Sequence, residues 1–355
     1  MSELGRRIAR QISAGGPLTV AQFMALALLD PQGGYYRQAE AVGRDGDFVT
    51  APEVSQVFGE LLGLWCLEQW QRLGQPRPFK LVELGPGRGT LAADALRAMK
   101  LRPEILQGLE VHLVEVNETL RQQQRKALAA YRVAWHDSLD AVPAGPFVLL
   151  ANEFFDALPI RQFERAPGGW RERLVGLDHA GHLAFTLSGS VPPELIPDDR
   201  RDAPPGSVAE FASGGMELAR RLAERVAAGP GAALIVDYGY VAPPLKGTLQ
   251  AVRAHQAADP LSEPGATDLS AHVDFAALSF AARRGGAAVV RPTTQRDFLL
   301  RMGARERFAA LKKSHPARAT ELAAAEERLL GANQMGELFK VLAMVPRTAA
   351  ATTMP

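Results

Sequence analysis

Phe79-Lys80-Leu81-Val82-Glu83-Leu84-Gly85-Pro86-Gly87-Arg88-Gly89-Thr90-Leu91-Ala92-Ala93-Asp94-Ala95-Leu96 is the stretch that decides the fold. From Phe79 to Gly85 runs an apolar segment short enough for a buried parallel strand. Beyond three alternate glycines, Leu91, Ala92, Ala95, Leu96 and Met99 recur at helical spacing, with Asp94 near the positive end of the helix. The segment reads as strand, tight loop, helix. Gly85, Gly87 and Gly89 stand where the backbone must turn sharply and let a ligand approach its amide groups. This is the pattern of a cofactor loop.

Spacing decides which cofactor. The dinucleotide fingerprint is G-x-G-x-x-G with an acid about 20 residues further on, whereas this loop is G-x-G-x-G and Thr90 stands where the third dinucleotide glycine would be. The next strand-end acid is Glu115, 26 residues past Gly89. A phosphate loop needs Gly-Lys-Ser/Thr, which Arg88-Gly89-Thr90 does not supply. What fits is a nucleoside ligand without a pyrophosphate, its amino-acid end over the glycines and its ribose hydroxyls on Glu115. That describes S-adenosylmethionine.

The 355 residues suffice for one large α/β domain with insertions or for two modest domains, and 47% hydrophobic content supplies a core. A net charge of +1 argues against bulk nucleic-acid binding, which usually needs a basic face. The single cysteine, Cys66, precludes an intrachain disulfide and reads as a core thiol within LLGLWCLEQW. No run of 18 apolar residues predicts a membrane span, and the N-terminus has arginines but no apolar signal core. A cytoplasmic protein is expected.

Along the chain, residues 2–13 and 18–29 are predicted helical, and a loop over 43–52 leads into a long helix opened by Pro52 and Glu53. Asp47, Thr50 and Glu53 read either as turn and cap residues or as part of a lid over the cofactor. After the glycine loop, EVHLVEV (110–116), a helix, RVAWHD (132–137) and PFVLLANEFFDALPI (146–160) alternate as βαβ units do, which predicts a parallel sheet with ligands at the carboxyl ends of its strands. Glu115, Asp137, Asn152 and Glu153 lie at such ends. Asp137 reads equally as a helix cap; Glu115 and Glu153 open into the ligand crevice. Residues 161–206 alternate apolar and polar around glycines, which predicts an antiparallel hairpin or meander. A helix is expected over 207–228, then a buried strand AALIVDYGY (232–240) ending in Asp237. The long connection that follows carries His255 and ends at His272, with no second histidine at metal-ligand spacing, so no metal is expected. A helix over 272–284, a strand AAVVRP, helix over 294–331 and a final strand MGELFKVLAMV complete the chain.

The segments GRDGDFVTAPEVSQVFGE, LVELGPGRGTLAAD, ANEFFDALPI, VDYGY, GTLQAVRAHQAADPLSEPGATDLSAHVDF and MGELFKVLAM follow one another in the order found in the MidA-like family. The chain resembles that family from residue 33 to 345, departing from its pattern at Val116-Asn117 and at Ser270-Ala271-His272. The resemblance implies an α/β fold of the class I methyltransferase kind: a Rossmann-like, mostly parallel sheet of seven strands, helices on both faces and an antiparallel last strand. It further implies an N-terminal helical cap (1–75), a methyltransferase domain (76–160 and 230–355) and an antiparallel β insertion (161–229) lining the acceptor site. The expected cofactor set is Glu83, Gly85, Gly87, Gly89, Glu115, Asp137 and Asn152. On the substrate or lid side stand Asp47, Thr50, Glu53, Asp237 and His255.

The family resemblance also implies methyl transfer from S-adenosylmethionine to an arginine of a protein partner, as its mitochondrial members do to a respiratory complex I subunit. Methyl transfer is an in-line displacement that depends on positioning, and a protonated guanidinium is a poor nucleophile. Carboxylates can hold it bidentately and localise its charge away from the attacking nitrogen. Glu153 is the first candidate for that catalytic role; Asp156 or Glu53 is the second, with a helix cap as the other reading of Asp156. A small-molecule N- or O-methyltransferase and a cofactor-retaining assembly chaperone are the competing readings, the intact glycine loop weighing against the chaperone.

Overall fold

In the computed structural model, which describes residues 2–37 and 50–347 (Asp199 without its side chain), the chain groups into two units. From the N-terminus come α1 (Glu3–Gly15), β1 (Leu18–Thr19), α2 (Val20–Leu29), α3 (Ala51–Val54) and α4 (Gln56–Arg72). The segment β2 (Phe79–Leu84), α5 (Thr90–Met99), α6 (Pro103–Leu106), β3 (Leu109–Val114), α7 (Glu118–Ala127), β4 (Val133–His136) and β5 (Phe147–Asn152) follows. Then come β6 (Arg161–Ala166), β7 (Gly169–Leu177), β8 (Leu183–Ser190), β9 (Val208–Phe211), α8 (Ser213–Ala228) and β10 (Gly231–Tyr240). The chain closes with β11 (Gln250–Arg253), β12 (Gln256–Ala257), β13 (Asp268–Ser270), β14 (Val273–Asp274), α9 (Phe275–Arg284), β15 (Ala288–Val289), β16 (Thr293–Thr294), α10 (Gln295–Arg301), α11 (Ala304–Ser314), α12 (Ala319–Leu330), α13 (Met335–Leu338) and β17 (Phe339–Val345).

The unit with α1, α2, β6–β9 and β11–β14 is antiparallel in character. Its larger sheet runs β1-β7-β6-β9 with β8 beside β7, and a smaller one runs β12-β11-β13. Helix α2 starts in a capping box, in which the Thr19 hydroxyl accepts the Gln22 amide and the Gln22 side chain accepts the Thr19 amide. Ile8, Phe23, Met24, Leu28, Val175 and Leu269 share its core.

The other unit holds the parallel sheet, in the order β15-β17-β10-β5-β2-β3-β4 with β16 beside β17. β17 is antiparallel to β10, while β10, β5, β2, β3 and β4 pair in parallel. The chain leaves β2 for β3 on one side and returns to β5 on the other, so β2 and β5 flank a topological switch point, where such sheets open a ligand crevice. Register brings the strand ends level: Leu84 lies opposite Val114 and Ala151, and Asn152 opposite Val236. Gly85, Glu115, Glu153 and Asp237 therefore sit at one crest. Every residue of β2 is buried, and Phe58, Leu62, Trp65 and Cys66 of α4 belong to the same apolar core as Leu81, Leu150 and Leu234. Glu60 on α4 ties three helices together by accepting Arg307 of α11 (2.7 Å) and Arg97 of α5 (3.2 Å).

Several expectations need correction. The helix predicted from Pro52 onward is interrupted at Ser55, which is extended (φ −161°, ψ 139°) and whose hydroxyl accepts the Val57 amide, restarting the chain as α4. Residues 208–211, predicted helical, form β9, because β6 offers the segment an antiparallel edge. The helical run 294–331 breaks at Gly303 and around Pro316, where a left-handed residue and a proline end α-helical hydrogen bonding. Only Phe339–Val345 of the last predicted strand is extended; Met335–Leu338 is a helical turn. The units also divide the chain differently from the expected domains: α4, assigned to an N-terminal cap, packs on α5 in the parallel-sheet unit, and residues 242–274 belong to the antiparallel one.

Candidate functional site

The glycine loop is built by conformations that only glycine adopts without strain. Gly85, Gly87 and Gly89 have φ of 60°, 53° and 85°. At Gly85 there is also no room, since a Cβ would come within 2.8 Å of the Phe154 ring. Gly89 is the N-cap of α5, with no side-chain cap bond, and the Ala92 amide of the first turn donates to Glu83.

Two oxygens beside this loop are buried acceptors with no hydrogen-bond donor: Glu83 Oε2 and Asn152 Oδ1. Glu83 on β2 and Asn152 on β5 fall on one face of adjacent strands by their register. Burial, with the neighbouring charge of Glu115 adding to it and the Ala92 amide opposing, pushes the Glu83 carboxyl up to about 8. The Asn152 amide is orientated by its neighbour, its Nδ2 donating to Glu153 Oε1 at 3.0 Å, which leaves Oδ1 aimed elsewhere. A ligand ammonium, which has three N–H donors, matches two orphaned acceptors on one face. This pair of acceptors thus fits the amino-acid end of S-adenosylmethionine.

Glu115 follows β3 and is 8% exposed. Its Oε1 accepts the Asn117 amide at 2.8 Å and its Oε2 the Gln124 side chain at 3.3 Å; burial raises its carboxyl above the usual range. Asn117, one of the departures from the family pattern, caps α7 by accepting the Thr119 and Leu120 amides.

Glu153 leaves β5 in the left-handed region, φ 49°, with its amide bonded to the Val236 carbonyl at 2.9 Å. A non-glycine residue held there is uncommon, and such conformations concentrate at functional sites. Its Oε1 also accepts the Ala51 amide at 3.0 Å. The same short segment is tied to the glycine loop, because Thr90 Oγ1 donates to Glu53 Oε1 at 2.6 Å. Thr50 occupies the N-cap of α3 without a side-chain cap bond; its carbonyl accepts the Glu53 and Val54 amides. The Thr50–Glu53 turn is therefore bonded both to the end of β5 and to the start of α5.

Other expected residues lie differently. Asp237, expected to face substrate, is fully buried: its carboxylate accepts the amides of Phe154 (3.1 Å), Phe155 (2.9 Å) and Tyr238 (3.0 Å). It is the strut that fixes the turn after Glu153. Asp137 is 86% exposed and paired with Arg121 at 2.6 Å, and Arg121 also donates to the Glu115 carbonyl at 2.8 Å. Asp156 belongs to the antiparallel unit, where its carbonyl accepts the Ala271 amide at 3.0 Å. Burial, with the charges of Asp268 and Asp156, pushes the Tyr36 phenol up in that unit. His255 is exposed in the two-residue turn Ala254-His255 (φ 48° and 61°) joining β11 and β12, a hairpin position rather than a site. Asp47 lies outside the described residues. Sequence reasoning missed Thr90, Phe154 and Gln124; for Gln124 the available signal was a polar residue in the apolar stripe Leu120, Gln124, Leu128.

A family model of S-adenosyl-L-methionine-dependent methyltransferases matches residues 61–293. The chain belongs to the MidA-like family of these enzymes. It is 38% identical to the zebrafish (Danio rerio) mitochondrial protein arginine methyltransferase NDUFAF7, over 96% of this chain and 86% of that protein. The human (Homo sapiens) protein of that name is 35% identical, over 96% of this chain and 83% of the relative. Among solved structures, a Burkholderia thailandensis protein crystallised with S-adenosyl-homocysteine aligns with a TM-score of 0.84 and 32% identity, covering 96% of this chain and 91% of that one. The family's cofactor is one that the loop spacing and the orphaned acceptors fit. The expectation of a cytoplasmic location does not stand, because these curated relatives are mitochondrial proteins. Among the described residues no helix is long and apolar enough to cross a membrane.

Proposed function

We propose that this methyltransferase acts on an arginine side chain of a protein partner, with Glu153 as the group that holds the guanidinium. The observation that carries the proposal is the glutamate fixed at φ 49° beyond β5, at the switch point, with the Asp237 strut holding the turn behind it. The names of relatives that are 35–38% identical over nearly the whole chain support the same substrate class.

S-adenosylmethionine supplies an electrophilic methyl group when bound. The chain's own residues do the rest. Glu83 Oε2 and Asn152 Oδ1 accept from the cofactor's ammonium, the glycine loop takes its carboxylate on amide groups, and Glu115 takes the ribose hydroxyls. Glu153, positioned by the Ala51 amide and the Asn152 side chain that donate to its Oε1, holds the acceptor guanidinium and localises its charge on the nitrogens it binds. The remaining terminal nitrogen then has the greater electron density for in-line attack, in which the N–C bond would form as the sulfur–methyl bond breaks and the nitrogen would give up one proton to solvent. In this reading the parallel-sheet unit is the seven-stranded class I core, with β17 as its antiparallel strand.

The test is proteome-wide mass spectrometry of cells with and without the gene. A methylarginine peptide should vanish on deletion, return with the wild-type gene and stay absent with Gly87→Val. Methyl transfer by the purified protein to small molecules alone, with no methylarginine lost, would overturn the proposal.

A further inference from the structure

Gln124 is a fully buried amide on α7 that makes three hydrogen bonds, with both of its N–H donors committed. Its Oε1 accepts the indole Nε1 of Trp135 at 2.8 Å, and its Nε2 donates to the Gly87 carbonyl at 2.6 Å and to Glu115 Oε2 at 3.3 Å. The orientation has no alternative, because an indole N–H can only donate while a carbonyl and a carboxylate offer acceptors. Gly89 packs on the same residue: a Cβ there would lie 3.4 Å from Gln124 Cγ. One side chain therefore touches the middle glycine, the last glycine and the strand-end acid.

We infer that Gln124 is a positioning residue that couples the two ends of the cofactor site, the glycine loop for the amino-acid end and Glu115 for the ribose. This rests on the assignment of Glu115 to the ribose hydroxyls. Gln124 acts through these two protein groups. By holding the Gly87 carbonyl it keeps the loop in its left-handed turn, and by donating to Oε2 it fixes the carboxylate plane against the Asn117 amide on Oε1. The carboxylate, held also by the Val116 amide, then meets the diol in one orientation. Trp135, half-buried on β4 beneath Arg125 (4.9 Å to the ring centroid), sets the amide in turn.

The test is calorimetric binding of S-adenosylhomocysteine to four proteins: the wild type, Gln124→Met, Glu115→Ala and the double variant. Methionine keeps the length of the side chain and removes all three hydrogen bonds. In the wild-type background Gln124→Met should weaken binding about tenfold, and in the Glu115→Ala background only about threefold, the remainder reporting the loop contact alone. Gln124→Glu supplies an independent pH signature. Its neutral carboxyl can still donate one hydrogen bond, whereas its ionised form repels Glu115 and the Gly87 carbonyl, so affinity should fall as pH rises from 5 to 8 beyond any change in the wild type. If Gln124→Met fails to show a cooperative melt, this profile decides. Equal losses in both backgrounds, or unchanged affinity in both Gln124 variants, would overturn the coupling. Wild-type affinity in Glu115→Ala alone would instead remove the ribose assignment, and the coupling with it.

Discussion

Glu83→Gln should stabilise the cofactor-free protein and impair cofactor binding at the same time. Glu83 is 3% exposed, its Oε2 has no donor, and its carboxyl sits at about 8 against an ordinary 4.5. Between those two values the unfolded chain has lost the proton and the folded chain keeps it. The folded pKa of an acid is raised here, so stability is complete below the ordinary carboxyl range and is lost as pH rises toward 8. At pH 7.5 the interval is about three pH units, and at about 1.36 kcal/mol per unit the group costs the fold about 4 kcal/mol. Glutamine keeps the shape and cannot ionise. Urea unfolding of the cofactor-free variant at pH 7.5 should show a gain approaching that figure, shrinking to little at pH 5. Cofactor binding runs the other way. An ammonium beside Oε2 favours the ionised carboxylate, so the wild type should release a proton on binding at pH 7, visible as a calorimetric enthalpy that changes with the buffer's ionisation enthalpy. The variant should lose that dependence and bind S-adenosylhomocysteine at least tenfold more weakly, the order expected for a lost charge-assisted contact. A variant less stable than the wild type at pH 7.5, with buffer-independent binding in both proteins, would refute the reasoning.

Gly87→Val places a branched side chain on a residue at φ 53°; calorimetry should find no S-adenosylhomocysteine binding, and wild-type affinity would show that the loop does not approach the ligand. Glu153→Gln should lower kcat on the arginine substrate with cofactor affinity nearly unchanged; loss of cofactor binding would move Glu153 into the cofactor site. Asp237→Ala should leave the Phe154 and Phe155 amides without their acceptor and so reduce both cofactor affinity and melting temperature, whereas an unchanged melt would deny its role as a strut. His112 Nδ1 and His136 Nε2 lie 2.9 Å apart, and burial holds both imidazoles below their ordinary range. In the Glu83→Gln background, urea unfolding should therefore show stability falling as pH drops through 6.5 and below, since the unfolded chain takes up protons that the folded one resists.

The sequence alone determined the strand-loop-helix at Phe79–Met99, the cofactor it serves and the acids at the strand ends. Each of these is local: glycine spacing sets where φ can be positive, strand length sets burial, and an acid after an apolar run must emerge at a crest. Tertiary structure decided the rest. Asp237 and Glu153 look alike in sequence, each an acid at the end of a buried strand. One became a strut because the amides of Phe154 and Phe155, 83 and 82 positions away, turn toward it; the other kept a carboxylate at the crest. Asp137 ends a strand as Glu115 does, yet it is solvated because β4 is the outermost strand of the sheet. Ser55 broke a helix that apolar periodicity would have carried through. Gln124, one of three consecutive glutamines, was chosen by the helical phase that turns it toward Gly87 and Trp135. Glu83 carries no mark in the sequence of a carboxyl held near neutral, because desolvation depends on what packs over a residue and not on its neighbours along the chain.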